Sequence, residues 1–469
     1  MINKDIKIIE FEKNKQYIIL DVNSGSIHLF DAVAKNALEK YIGGKASSII
    51  EDDEKEALST ILELEKKGLL FTTDTKKLPK KVNQSLKSIC LNVAHTCNLA
   101  CPYCFAAGGN YKGNEGLMSA DIGKKAIDYL LENSSNRPIV EVDFFGGEPL
   151  LNFSLIKYLM PYGNKKAKEL GKTIKWSMTT NGVLLNNQIQ DFLIENNVGT
   201  VLSIDGRKEV HNRHRYFKNK KGSYDIVLKN YLSFKNKTED YVVRGTYTGY
   251  NKDFYNDVKT LKELGFKHIS MEPVITDGET PWDLKESDLS LLEDSYERLK
   301  TLFLEWYNKE NPVDFFHFNI DLKGGPCLYK RITACGAGFE YIAITPEGDI
   351  FPCHQLIKDN KYKMGSLVDN TFNQNIKDTF QKSTIYSKES CSSCWARFYC
   401  SGGCHANNFH FSNNLQIPYQ LGCDLEKIRL EKALWAQVYM LLNPKEKIKG
   451  NDKITQEKIK EYVKEQTHA

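Results

Sequence analysis

The sequence predicts an α/β protein: a partial (β/α)6 TIM-type barrel, preceded by a small separate unit and followed by a cysteine-rich region. Three observations predict this. Six strand-like runs alternate with helix-like runs between residues 87 and 310, the pattern of a parallel sheet with helices outside it. Unusual short motifs follow the first four strand runs, and barrels of this type carry their chemistry at the C-terminal ends of strands. The 12 cysteines are clustered, three at 97–104 and eight from Cys327 to Cys423, which favours metal ligation over a disulfide framework.

Taken in order, residues 1–75 read as one unit. "QYIILDVNSGSIHLFD" holds two β-rich runs around Asn23-Ser24-Gly25, a hairpin signal, and helical patterns follow near 31–42 and 52–68. Residues 76–86 are polar and lysine-rich, as linkers are. In 87–310 the expected strands are 88–94, 139–145, 173–179, 200–204, 241–248 and 268–274. Amphipathic helices are expected near 119–134, 153–170, 187–197, 223–235, 252–264 and 287–308. Residues 315–430 are rich in Cys, Gly and short turns, as in a domain held together by metal. Residues 431–469 read as a helix and then a solvated, charged tail.

With 469 residues, 41% of them hydrophobic and 26% charged, the chain is long enough for two to four domains. Its 64 basic and 60 acidic side chains nearly balance, at a net charge of +4, so nucleic acid is not an expected partner. No apolar run approaches the roughly 20 residues that span a bilayer. The first 20 residues alternate charged and apolar residues without the apolar core of a secretion signal. A cytoplasmic protein without a membrane partner is expected.

The stretch "AHTCNLACPYCFA" sets Cys97, Cys101 and Cys104 at spacing C-x3-C-x2-C, and the next cysteine is Cys327. Closely spaced thiolates ligate zinc or iron–sulfur clusters, and structural zinc takes four ligands. Three cysteines on a cubane cluster leave one iron open to a small molecule. Cys90, alone in a strand-like run, reads as a small buried hydrophobe.

With Tyr103 beside its last cysteine, this triplet resembles the signature of the radical S-adenosylmethionine (SAM) enzymes. The resemblance implies a [4Fe-4S] cluster on Cys97, Cys101 and Cys104 whose open iron holds the methionine part of S-adenosyl-L-methionine. One electron then splits the cofactor into methionine and a 5′-deoxyadenosyl radical, which takes a substrate hydrogen. The same resemblance makes Gly146, Gly147, Glu148 and Pro149 the glycine-rich loop at the methionine amino group, and Thr180, Asn181, Ser203 and Asp205 polar contacts to the cofactor. His211 and Arg215 lie in "SIDGRKEVHNRHR", similar to a segment of the peptide-modifying branch, with Arg215 suited to a carboxylate. Glu272, closing the sixth strand run, is a further pocket candidate.

Cys335, Gly348, Cys353, Cys391, Cys394, Cys400, Cys404 and Cys423 follow the spacing of the SPASM extension found on radical peptide maturases and anaerobic sulfatase maturases. That pattern implies two auxiliary [4Fe-4S] clusters, making three in all. One would use Cys335, Cys353 and Cys404 with Cys327 as a possible fourth ligand. The other would use Cys391, Cys394, Cys400 and Cys423. His354 and His405 read as neighbours of these ligands and not as ligands.

The first unit resembles the winged-helix-like leader-recognition domain of ribosomal peptide pathways, which takes a leader as an added strand. Over nearly the whole chain the sequence is similar to maturases of "six cysteines in forty-five" peptides. The runs are "YIILDVNSGSIHLFD", "LNVAHTCNLACPYCFA", "VDFFGGEPLLNF", "SIDGRKEV", "CGAGFEYIAITPEGDIFPCHQ" and "CWARFYCSGGCHANN". This implies thioether cross-linking of a cysteine-rich precursor peptide carrying a leader, with an electron donor such as a flavodoxin or ferredoxin. The rival readings are an anaerobic sulfatase maturase making formylglycine, another radical peptide modification such as carbon–carbon cross-linking or epimerisation, and a non-catalytic zinc-rich interaction protein.

Overall fold

The computed structural model of the chain describes residues 5–11, 15–74, 85–113, 115–276, 280–322 and 328–445. The first unit is a three-stranded antiparallel sheet, β1 (Ile6–Phe11), β2 (Gln16–Asp21) and β3 (Ile27–Phe30), followed by α1 (Ala32–Ile42) and α2 (Asp52–Lys66). The expected hairpin is β2–β3, closed by Asp21, which accepts hydrogen bonds from Ser24 N (2.9 Å) and Ser24 Oγ (2.8 Å). One face of the sheet packs Ile19 and Phe30 on Ala37, Leu38, Ile61 and Leu64 of its own helices. The other packs Ile9, Phe11, Ile18 and Leu20 against the C-terminal helix. Burial on both faces accounts for the run Ile18-Ile19-Leu20, which has no alternation.

Six parallel strands follow: β4 (Ser88–Ala94), β5 (Ile139–Gly146), β6 (Thr173–Thr180), β7 (Gly199–Ser203), β8 (Tyr241–Tyr247) and β9 (His268–Pro273). They neighbour one another in chain order, the partial (β/α)6 barrel that the alternation predicts. Between and after them lie α3 (Ala120–Asn133), α4 (Phe153–Glu169), α5 (Asn187–Glu195), α6 (Lys208–His214), α7 (Tyr224–Lys235), α8 (Tyr255–Glu263) and α9 (Leu289–Asn308). Alternate residues of β5, Val140, Val142 and Phe144, are fully buried with Ile127 of α3 and Ile156 and Leu159 of α4. Their neighbours Asp143 and Phe145 therefore point to the concave side. There Asp143 accepts from Ser177 Oγ (2.9 Å), and burial raises its pKa to about 6 against the pull of Ser177 and Arg244.

The cysteine-rich region continues this sheet. β10 (Asp314–Phe315) pairs with β9, and β11 (Tyr341–Ile344) pairs in parallel with the outer edge of β4, placing Cys90 opposite Ala343. β12 (Asp349–Phe351), β13 (Gly365–Ser366) and β14 (Thr371–Phe372) follow antiparallel, completing eleven strands. The helices here are α10 (Leu328–Thr333), α11 (Gln374–Lys382), α12 (Glu389–Ser392), α13 (Arg397–Cys400), α14 (His405–Ser412) and α15 (Gln420–Leu442). The terminal helix begins at Gln420, eleven residues before the sequence expectation, and carries Cys423. Most of the expected linker, the charged tail from 446 and Cys327 lie outside the described residues. Among the described residues no helix is long and apolar enough to cross a membrane.

Candidate functional site

The cysteine triplet occupies the loop leaving β4, as strand-end chemistry requires. The loop is pinned from several sides. Ala100 N donates to Tyr216 O (2.8 Å), and Gly147 N and Glu148 N donate to Ala94 O (2.7 Å) and Thr96 O (3.0 Å). A β-carbon at Gly147 would stand 2.2 Å from Thr96 O, and one at Gly146 2.3 Å from Ala94 O. The two glycines are thus required by the close approach of the cysteine loop's own backbone. Cys97 is pushed up to about 12 by burial and by Glu148 beside it. Burial raises Cys101 as well, while Arg215 pulls it down and Cys104 and Cys97 add to the rise. Cys97 and Cys101, with Cys104 beside them, therefore sit in a site whose burial opposes the ionisation of these two thiols until a cation enters.

The strand-end residues form a linked ring around the triplet. Glu148, 1% exposed, caps the turn begun by Pro149 by accepting from Leu150 N (3.1 Å). It also accepts from Thr180 Oγ1 (2.7 Å) and Asn181 N (2.8 Å), tying β5 to β6. Burial raises its pKa to about 7 against these three bonds. Asn181 Nδ2 donates to Asn98 Oδ1 (2.7 Å) and reaches Cys97 Sγ at 3.6 Å. Asp205, fully buried, accepts from Tyr103 OH (2.7 Å), Arg215 Nε (3.0 Å) and Thr246 N (3.0 Å). Burial pushes the Asp205 carboxyl up, but Arg215, His211 and these bonds hold it below the usual carboxylate range. The guanidinium of Arg215 lies 5.6 Å from the centre of the Tyr103 ring, and its Nε is the nitrogen bonded to Asp205. His211 bonds Ser223 Oγ (2.9 Å), and burial lowers its pKa to about 4. The Ser203 carbonyl accepts from Tyr231 OH (3.3 Å). Glu148 and Asp205 thus spend their oxygens on the protein and hold the motifs together. The carboxyl of Glu148 faces donors at both oxygens, so an amide there turns its NH2 against one of them. Glu148→Gln is expected to lose about 1–3 kcal/mol of stability, read as a fall in the urea midpoint at unchanged slope.

Glu272 stands elsewhere. It accepts from Ser270 Oγ (2.7 Å) and faces His317 Nε2 at 3.4 Å. Burial opposes its charge, but His317 outweighs it and lowers the pKa. It lines a cavity of roughly 310 Å3 with His317, Arg429, Cys400, Cys404 and Cys423, and no residue of the triplet loop or of "GGEP" lines it. The cavity lies where the end of β9 meets the cysteine-rich loops. The sequence placed Glu272 with the cofactor contacts because it ends a barrel strand. The structure also turns it towards the C-terminal region, where His317 Nε2 stands 3.4 Å away.

The later cysteines fall into two groups. Burial raises Cys353, and its thiol senses Cys404 and Cys335. Cys400, pushed up to about 12 by burial, senses Glu426, Cys423 and Cys391. Cys423, pushed up to about 11, senses Cys391 and Cys394. The resemblance implies interleaved ligand sets of three and four, and the neighbours of Cys353, Cys400 and Cys423 are compatible with that assignment. Among the described residues no group of His, Cys, Asp or Glu side chains is placed to hold a single metal ion. Donor sets made of thiols alone, three, three and four in number, suit iron–sulfur clusters. Between the first two sets lies an aromatic wall. Phe105, next to Cys104, packs at 5.5 Å from the His354 ring, next to Cys353, and Phe145 lies 4.7 Å from the same ring. His354 Nδ1 is bonded to Tyr341 OH (2.7 Å) and His405 Nδ1 faces Ser383 Oγ (3.4 Å).

Sequence reasoning missed Arg397, inside the Cys394–Cys400 segment. Its side chain is 1% exposed. It donates to Cys394 O (3.0 Å), to Asp5 Oδ2 (2.9 Å) and to Asn23 Oδ1. The first unit is thereby clasped to the loop bearing the four-thiol set. A cation inside a C-x5-C spacing is the one trace of it in the sequence.

Residues 91–290 match the radical SAM superfamily, and residues 335–395 match SPASM, an iron–sulfur cluster-binding domain. An uncharacterized protein of Methanocaldococcus jannaschii is 35% identical over 40% of this chain, and the match spans 62% of that relative, less than two thirds of its length. A serine-type anaerobic sulfatase-maturating enzyme of Bacteroides thetaiotaomicron is 28% identical over 68% of this chain and 82% of its own. Native anSMEcpe with bound AdoMet and Cp18Cys peptide has the same fold, with TM-score 0.64 and 23% identity over 77% of this chain and 99% of that one. Streptococcus suis SuiB bound to the precursor peptide SuiA aligns with TM-score 0.51 and 16% identity over 87% of this chain and 96% of its own.

Proposed function

We propose that this chain, a radical SAM enzyme with an iron–sulfur SPASM region behind its barrel, installs sulfur-to-carbon cross-links in a ribosomally made, cysteine-rich peptide. When bound, S-adenosyl-L-methionine and the first cluster supply a 5′-deoxyadenosyl radical. In this reading Cys97, Cys101 and Cys104 are the ligands of that cluster. Arg215, fixed to Asp205 through Nε, offers its remaining guanidinium nitrogens to the cofactor carboxylate. Asn98 and Asn181 hold the Cys97 side of the site.

The observation that carries the reading is the cavity between the end of β9 and the loops of Cys400, Cys404 and Cys423. With clusters on Cys400, Cys404 and Cys423, the remaining polar wall of Glu272, His317 and Arg429 is the face that a peptide segment would meet. The first unit supports a peptide partner as well. In its sheet order β1 and β3 are the edges, and an edge strand takes an extended peptide by backbone pairing. Both solved relatives described above were captured with a peptide. A flavodoxin or ferredoxin would supply the electron.

The test is anaerobic co-expression with the precursor peptide, followed by mass measurement and thiol alkylation. Each cross-link takes one hydrogen atom from carbon, which would leave in 5′-deoxyadenosine, and one from a thiol, which would leave as a proton with its electron passed to an auxiliary cluster. The product is expected to be lighter by about 2 Da per bond and to lose one alkylatable thiol per bond. The sulfatase-maturating relatives favour formylglycine formation as the second reading. It predicts a carbonyl that reacts with a hydrazine and no new sulfur–carbon bond. Unchanged peptide mass despite cofactor turnover refutes cross-linking.

A further inference from the structure

We propose that Lys388 is a positioning residue shared by both auxiliary sites, a buried ammonium that joins the two thiol sets and raises the reduction potential of the clusters they hold. The inference concerns the cluster sites alone and holds whichever peptide is modified.

Lys388 is 0% exposed. Its carbonyl accepts from Cys391 N (3.0 Å) and Ser392 N (3.2 Å), starting the turn that presents the first thiols of the four-thiol set. Its Nζ donates to Gly402 O (2.7 Å). Gly402 is the midpoint of the segment Cys400–Cys404, whose first cysteine belongs to the four-thiol set and whose last belongs to the three-thiol set. Ser401, Gly402 and Gly403 all take left-handed backbone conformations, with φ of 61°, 86° and 75°. A β-carbon at Gly402 would stand 3.0 Å from Lys388 Nζ. The glycine leaves room for the ammonium to reach the carbonyl.

A buried ammonium with one carbonyl partner among the described residues is costly unless anions compensate it. The carbonyl that holds the ammonium is two residues from Cys400 and two from Cys404, and the Lys388 carbonyl accepts from Cys391 N. Those three cysteines span both sets. Reduction adds negative charge to a cluster, and a fixed nearby cation favours the reduced form. One cation placed between two sites therefore acts on both.

The experiment is an EPR-monitored redox titration of the anaerobic, cluster-loaded full chain, as wild type, Lys388→Met and Lys388→Arg. Each is also prepared with Cys97, Cys101 and Cys104 replaced by alanine, so that only auxiliary signals remain. Lys388→Met is expected to move both auxiliary signals to lower potential, and Lys388→Arg to return them towards wild type. Unmoved potentials, a shift in one signal alone, or equal shifts in Met and Arg variants overturn the proposal. If Lys388→Met fails to take up auxiliary iron, recovery of iron in Lys388→Arg supports a charge role, and equal loss in both variants overturns it.

Discussion

Cys101→Ala is expected to abolish 5′-deoxyadenosine formation, by at least about a thousandfold, while most of the iron stays bound. Cys101 sits midway in a loop that is held from Ala94 to Tyr216 by backbone bonds. Its thiol senses Cys104 and Cys97. Removing one of three ligands leaves a site that cannot keep its cluster, whereas the sets around Cys353 and Cys400 are built from other segments. Iron is expected to fall from about twelve to about eight per chain. Cys90→Ala is the matched control: that thiol is fully buried in β4 and is touched by Tyr341, so its loss leaves the iron count unchanged. Iron analysis and chromatography of quenched reactions read both quantities. Retained radical formation in Cys101→Ala would refute the assignment of the triplet.

Asp205→Ala is expected to cost about 3–5 kcal/mol, the penalty for leaving a buried charge without its partner. The carboxylate is fully buried and takes three donors, from Tyr103, Arg215 and Thr246. Its removal strands the Arg215 guanidinium and frees the ring beside Cys104 at the same time. Stability and radical formation should fall together. The pH dependence has a fixed sign. A carboxyl held below its unfolded value contributes stability that is complete above about pH 3.9 and is lost as the pH falls through the folded value. Wild type should therefore lose stability on acidification faster than Asp205→Ala, seen as converging urea midpoints. Parallel midpoints at every pH would show that the pair contributes nothing.

The barrel was legible because each strand announced itself by composition and each motif by position. The runs from Ser88, Ile139 and Thr173 begin where β4, β5 and β6 begin, since buried parallel strands are dense in apolar residues and bounded by turns. The clustering of the thiols was legible in their spacing, whereas their division into two interleaved sets came from the family resemblance. What spacing does not encode is a partner distant in sequence. β11 is four residues long and finds its mate in β4, so no local pattern could give it away. β1 was passed over because its charged residues broke the run. Lys388 and Arg397 look like ordinary surface cations until Gly402, Asp5 and Asn23 are brought to them. Glu272 was legible as a strand end, but its neighbour His317 was not, because that residue lies on a later segment.

The pairing of β11 with β4 also has a consequence for synthesis on the ribosome. Tyr341–Ile344 supplies the outer neighbour of Ser88–Ala94, so the strand leading into the first cysteine loop emerges long before its flank is made. Throughout that interval the nascent chain carries an apolar strand whose backbone is open on one side, a hazard for aggregation. A lasting seat for the first cofactor thus depends on translation reaching the last third of the message.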